Sequence, residues 1–231
     1  MTSSLNKKET VLITGSTSGI GWQLAKVFAE NGHDLILTGR DPVKLEEIVK
    51  ITRDLGVISN SFICDLRNPE EIKNLSEFAI EKKVTTLINN AGLPCPSKSL
   101  GDLELEEMSD VLALNLYAPI LLTKFLYDHF LTLSSANIIA LNSMVGREVK
   151  KCRTVYSASK WGLRGFFNSL HEEAKEKNIN VLSIYPTNVK TRPNQQNSMD
   201  VEYVVENIYT AFLEQKSELI IDGRNMTVSA T

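Results

Sequence analysis

An apolar run at 10–14 breaks into Thr14-Gly15-Ser16-Thr17-Ser18-Gly19-Ile20-Gly21 and passes at once into a helical pattern. Three glycines in the register TGxxxGIG leave few folds open, because the chain must end a strand, turn tightly and enter a helix within a few residues. By average residue usage, the five fixed positions recur by chance on the order of once per million sites. In such a turn unpaired backbone amides and the positive end of a helix dipole converge, a setting that suits the pyrophosphate of a dinucleotide. Gly15, Ser16, Thr17, Ser18, Gly19, Ile20 and Gly21 are therefore candidate cofactor contacts, a ligand-free turn being the competing reading.

The rest of the chain repeats this alternation. Short runs rich in Val, Ile and Leu predict seven strands at 10–14, 34–38, 59–64, 85–89, 136–142, 180–185 and 218–221. Longer segments of helical period predict helices at 19–31, 42–55, 69–81, 111–131, 155–177 and 203–215. Strands alternating with helices make a parallel sheet covered on both faces, an α/β, doubly wound, Rossmann-type domain of three layers, α/β/α. No repeat or linker composition divides residues 1–231, so one domain is expected. Asp41, ahead of Pro42, is the expected cap of the second helix.

Composition narrows the partners. A net charge of -3, with Lys and Arg scattered, argues against nucleic acid and for a small-molecule ligand. The polar start at 1–10 and the lack of an uninterrupted apolar stretch of bilayer length point to a cytoplasmic protein with no membrane partner. Cys64, Cys95 and Cys152 have neither disulfide-framework nor metal-ligand spacing, and His33, His129 and His171 stand singly, so no metal site is expected. Trp22 and Trp161 read as packing residues.

Ligands of open α/β sheets bind at the carboxyl ends of the strands, which makes those ends the next place to look. The second ends Leu37-Thr38-Gly39-Arg40, with no acid at 38 or 39 to meet a ribose 2′-hydroxyl. Arg40 instead suits a 2′-phosphate, so NADP is favoured over NAD, with a solvated loop arginine as the alternative. After the third strand Asp65, followed by Leu66, is a candidate to bond an adenine, and the fourth ends Asn89-Asn90-Ala91-Gly92, with ordinary turn chemistry as the alternative at both ends.

Tyr156 and Lys160, spaced by four at the start of a helix, share one face, and an ammonium that close stabilises a phenolate. Ser143, at the end of the fifth strand, falls at the same sheet edge, where a hydroxyl can bond a substrate carbonyl. Asn115 lies in the helical stretch before that strand.

Taken in order, these residues resemble the short-chain dehydrogenase/reductase family from Thr14 to about Gly223. TGSTSGIG is similar to that family's cofactor turn, Asp65 to its adenine contact, and Asn89, Ala91 and Gly92 to contacts in its NNAG segment. Asn115, Ser143, Tyr156 and Lys160 match its catalytic tetrad. The resemblance implies Tyr156 as general acid or base, Ser143 steadying the carbonyl, Lys160 holding the nicotinamide ribose, and Asn115 supporting a water relay. It also implies the strand order 3-2-1-4-5-6-7, a carbonyl or alcohol substrate, NADPH-dependent reduction, and a homodimer or homotetramer. Pro186-Thr187-Asn188-Val189-Lys190-Thr191 is similar to the family's PGxxxT segment, which makes Pro186, Thr187, Val189 and Thr191 candidate cofactor contacts. Thr187 replaces the usual glycine, and its side chain is expected to narrow the nicotinamide pocket. The polar stretch 190–200, with Asn194, Gln195, Gln196 and Asn197, suggests an open or polar substrate pocket. A different class of function, a dinucleotide-binding regulator without turnover, remains the alternative, since fold alone does not fix function.

Overall fold

A computed structural model describes residues 8–94, 97–191 and 198–225; Cys95 and Asn194 to Asn197 lie outside them. Strands β1 (Thr10–Thr14), β2 (Asp34–Gly39), β3 (Ser59–Ile63), β4 (Thr86–Asn89), β5 (Ala136–Leu141), β6 (Ile179–Pro186) and β7 (Glu218–Ile221) form one parallel sheet. Its order is β3-β2-β1-β4-β5-β6-β7. Starting a sheet in the middle and winding outward both ways leaves a crevice where β1 meets β4, at the carboxyl ends.

The two faces are buried separately. On one, Val11, Ile13, Leu35 and Leu37 pack with Leu24 and Phe28 of α1 (Gly19–Glu30), Leu45 of α2 (Pro42–Asp54) and Val205 and Ile208 of α7 (Val201–Leu213). On the other, Leu12, Ile36 and Leu87 pack with Ile72 and Leu75 of α3 (Pro69–Glu81), Leu122 and Leu126 of α5 (Ala118–Leu131) and Leu163 and Phe167 of α6 (Thr154–Ala174). Alternate residues of β1 and β2 thus serve opposite layers, as strand geometry requires. The expected cap is in place, with Asp41 accepting hydrogen bonds from the backbone of Val43 and Lys44 at 3.1 Å each.

One helix starts earlier than its pattern suggests. α4 (Leu105–Leu112) continues through a π-helical turn, Ala113–Tyr117, into α5. The resulting run, Leu105–Leu131, is by length and composition long and apolar enough to cross a bilayer, although the apolar stretch is interrupted by Lys124 and Asp128. In the fold it covers the sheet with buried Leu122, Leu126 and Phe130, while buried Val111 packs separately against Val155 of α6. Trp22 packs on the core, but Trp161 departs from expectation: it is 43% exposed, with the Arg164 guanidinium 5.6 Å from its ring. His33 and His129 are held by hydrogen bonds, to Glu9 N and Tyr209 Oη in the first case and to the Val84 carbonyl in the second.

Candidate active site

At the carboxyl edge of the sheet a cleft of about 550 Å³ opens between the β1 turn and α6. The glycine turn forms one wall. Gly15 and Gly19 adopt φ of 65° and 54°, the left-handed region that glycine enters without strain. A Cβ at Gly21 would stand 2.2 Å from the Gly15 carbonyl oxygen, so the start of α1 closes onto the turn only because that position has no side chain. The turn is stitched to the end of β4. Asn90 Nδ2 donates to the Thr14 and Gly15 carbonyls at 2.8 and 3.1 Å, while Thr14 Oγ1 accepts from Asn90 N and Ala91 N at 2.9 and 3.0 Å. A rigid, side-chain-free cradle at a helix N-terminus fits the pyrophosphate of a dinucleotide.

Of the turn residues, Gly15, Thr17, Ser18, Gly19, Ile20 and Gly21 line the cleft. Ser16 is fully buried instead, and its hydroxyl is spent on the Thr38 carbonyl at 3.2 Å. Arg40, Asp65, Leu66, Ala91 and Gly92 also line the cleft. Asn89 does not: its side chain is buried and donates to Thr123 Oγ1 of α5, and Asn90 takes the place expected of it. Across the cleft Pro186 and Thr191 complete the wall, Thr191 lying against Gly19, while buried Val189 bridges to Met199 behind it.

Thr187 does not narrow the pocket. Its backbone N–H bonds the Ile221 carbonyl at 3.0 Å, and its Oγ1 accepts from Gly223 N at 2.9 Å, 3.9 Å from Met199 Sδ. Because pairing with β7 continues past Pro186, the side chain at 187 is drawn toward the end of β7 rather than into the cleft.

Of the tetrad residues, Tyr156 and Lys160 line the cleft, whereas Ser143 and Asn115 do not. Tyr156 and Lys160 line it one helical turn apart, with Lys160 Nζ 5.9 Å from the phenol ring centroid. Lys160 is buried, its Nζ donates to the Leu141 carbonyl at 3.1 Å, and burial pushes its pKa down to about 8. Ser143 stands just behind the lining at the end of β5, where its Oγ accepts from Val145 N at 3.2 Å. Asn115 sits in the π turn, almost fully buried, and clamps Leu93 by accepting from its N–H at 2.7 Å and donating to its carbonyl at 2.9 Å. The extra residue of a π turn rotates one side chain out of register, and here it turns Asn115 under the β4 exit.

Two residues join the site without having been expected. Asn142 accepts from Ser143 N at 2.9 Å and donates to the Lys160 carbonyl at 3.1 Å, tying β5 to α6 between the serine and the lysine. Arg67 lines the cleft and grips Asp65, whose carboxyl it holds below the usual range. Burial, with Glu71 and Asp65 nearby, pushes the Cys64 thiol up to about 12, so it stays protonated. Among the described residues no group of three His, Cys, Asp or Glu side chains stands together as a metal site.

A family model described as short chain dehydrogenase matches residues 9–202. An uncharacterized oxidoreductase of Staphylococcus saprophyticus is 34% identical over 79% of this chain and 79% of its own. The dehydrogenase/reductase SDR family member 7B of Xenopus laevis is 28% identical over 92% of this chain and 73% of its own. Among solved structures, a bulky-bulky ketone specific alcohol dehydrogenase from Comamonas testosteroni superposes with a TM-score of 0.87 at 26% identity, covering 97% of this chain and 88% of that one. A short-chain dehydrogenase from Sphingobium yanoikuyae in complex with NADPH superposes with a TM-score of 0.86 at 27% identity, covering 96% and 90%.

Proposed function

From the premise that this chain belongs to the short-chain dehydrogenase/reductase family of oxidoreductases, we propose that it interconverts a small-molecule carbonyl and a secondary alcohol with NADP(H), working as a reductase. The observation that carries this is the placement of buried Lys160 beside Tyr156 on the floor of the cleft that the glycine turn walls. Bound there, the nicotinamide would supply or accept the hydride. Tyr156 gives its phenolic proton to the carbonyl oxygen in reduction and takes it back in oxidation. Lys160, positively charged at neutral pH with a pKa of about 8, stabilises the phenolate that remains. The Ser143 hydroxyl, which among the described residues only accepts from Val145 N, keeps its proton for the substrate oxygen. Asn115 holds the Leu93 backbone beside the reacting site.

The preference for NADP(H) rests on Arg40. It is exposed at the cleft, follows a β2 tip without an acid, and among the described residues makes no ion pair that would occupy its charge. NADPH in the Sphingobium yanoikuyae structure agrees with that choice. We place the protein in the cytoplasm, where Cys64 and Cys152 stay as free thiols, and as a homodimer or homotetramer pairing through the π turn that leads into α5 and through α6, which expose Tyr117 and Trp161.

Side-by-side titration of NADPH and NADH, followed by turnover of a carbonyl panel, tests this reading. NADPH is expected to bind tighter, and Tyr156→Phe to keep binding while losing about 10²–10⁴ in turnover, the range of general acid–base catalysis. Tighter NADH binding would remove the Arg40 assignment. Binding without turnover by the wild type would favour the regulator, and undiminished turnover by Tyr156→Phe would remove the phenol from the mechanism.

A further inference from the structure

Arg67 is the most heavily bonded side chain at the cleft, and the proposed chemistry gives it nothing to do. Its backbone N and Nε both donate to Asp65 Oδ1 at 3.0 Å, and its Nη2 donates to Oδ2 at 2.6 Å. The opposite corner of the guanidinium, Nη1, donates to Asp110 Oδ2 on α4 at 2.6 Å. All three side chains are about one-third exposed, and Arg67 and Asp65 line the cleft, so the group is not a buried strut.

The charge count explains why such a device is useful. Three carboxylates stand together here, Asp65 lining the cleft and Asp110 and Glu71 outside its lining, the last accepting from Asp65 N at 2.7 Å. Facing them are two guanidiniums, Arg67 and Arg40, and the field of Arg40 reaches Asp65. With Arg67 these five groups leave a single negative charge; without it one arginine would answer three carboxylates, the net negative charge would double, and a 2′-phosphate carrying nearly two negative charges would be repelled more strongly. Bidentate pairing neutralises Asp65 while leaving lone pairs on its oxygens for an adenine amine. We propose that Arg67 is a specificity-determining residue, which masks Asp65 and Asp110 so that the adenosine end accepts a 2′-phosphorylated dinucleotide. The proposal rests on the NADP(H) reading above.

NADPH and NADH differ only in that phosphate, so the ratio of their dissociation constants isolates the effect from any general loosening of the site. One unmasked charge within a Debye length is worth on the order of tenfold in affinity for a phosphate. Arg67→Gln is therefore expected to weaken NADPH about tenfold and NADH less than about twofold, by fluorescence titration of the purified protein. Adding Asp65→Asn to that variant removes the charge Arg67 masks, and should return the NADPH/NADH ratio to within about threefold of wild type. Asp110→Asn alone, which leaves the Asp65 pair intact, should raise NADPH preference. A purely structural Arg67, pinning α4 to the β3 exit, would weaken both nucleotides together. An unchanged ratio in Arg67→Gln, or no recovery in the double variant, overturns the proposal while leaving the NADP(H) reading standing. If Arg67→Gln does not fold, an unchanged or lowered NADPH preference in Asp110→Asn overturns it equally. A wild type that itself prefers NADH removes the reading beneath it.

Discussion

Gly21→Ala puts the cofactor cradle to its sharpest test. The new Cβ would stand 2.2 Å from the Gly15 carbonyl oxygen and 2.5 Å from Asn90 Nδ2. Contacts of that kind need more than 3 Å, so something must move by about 1 Å, and neither neighbour is a loose side-chain end. The Gly15 oxygen is backbone, and Asn90 Nδ2 is already committed to Thr14 and Gly15. Overpacking of this sort costs roughly 1–3 kcal/mol. For a chain of this size that lowers Tm by roughly 2–12 °C. The larger effect falls on binding, because the turn amides that face the pyrophosphate shift with the carbonyl. Hydrogen bonds to a charged group are worth about 1.5–3 kcal/mol each, so losing two weakens the dinucleotide by at least about 100-fold. Gly56→Ala is the control. Gly56 has a positive φ, 89°, which Gly21 lacks, but no atom lies within 4 Å of its Cβ position, so Gly56→Ala should lose about 1 kcal/mol of stability from the backbone alone and no cofactor affinity. Thermal unfolding and NADPH titration of both variants read the outcome. If Gly21→Ala binds within about threefold of wild type, the close approach of α1 to the turn does not shape the cradle, and the reasoning fails.

Two further outcomes follow from other parts of the fold. His33 is buried, accepts a hydrogen bond from Glu9 N at its Nδ1, and has its pKa held below 6.5 by burial, with Lys8 adding to and Asp34 opposing the shift. The folded protein therefore binds fewer protons there than the unfolded chain, so this contribution is complete above about pH 6.5 and is lost as the pH falls through the lowered value. Urea midpoints measured from pH 7 to 5 should decline, and His33→Gln should flatten the slope; equal slopes in the two proteins would refute the assignment. Thr187→Gly removes the hydroxyl that receives Gly223 N and should cost about 1–2 kcal/mol of stability without improving cofactor binding. A clear gain in NADPH affinity would mean that Thr187 does crowd the nicotinamide after all.

How much of this was legible in the sequence depended on whether a residue's role is set locally or by a distant partner. The parallel sheet and the glycine turn could be read because they follow from alternation and from backbone demands within a few residues of each other, whereas the strand order came from the family resemblance. The start of α4 could not, since Leu105 is 80% exposed and the acidic run after it hides the helical stripe. The π turn left no trace either, as its single extra residue breaks the very period that would reveal it. Asn89 and Asn90 are adjacent and identical in chemistry, so only the orientation of the finished strand decides that Asn89 faces α5 and Asn90 the turn.

The same division runs through the active site. Tyr156, Lys160 and Ser143 carry chemistry that belongs to the side chain itself, and a spacing of one helical turn is enough to suggest the pairing of the first two. The residues that hold them work only through partners the fold delivers. Asn142 reaches Lys160 across 18 positions, Arg67 reaches Asp110 across 43, and Asn90 reaches Thr14 across 76. Each of these would pass, in the sequence, for an ordinary polar residue at the end of a strand. A side chain that reacts can therefore be nominated from one sequence, whereas a side chain that aims or masks another becomes visible only once both ends of its hydrogen bond are in place. That is why the family's reaction class was open to inference early, while Arg67, which we propose discriminates between two cofactors that differ by one phosphate, has no motif of its own.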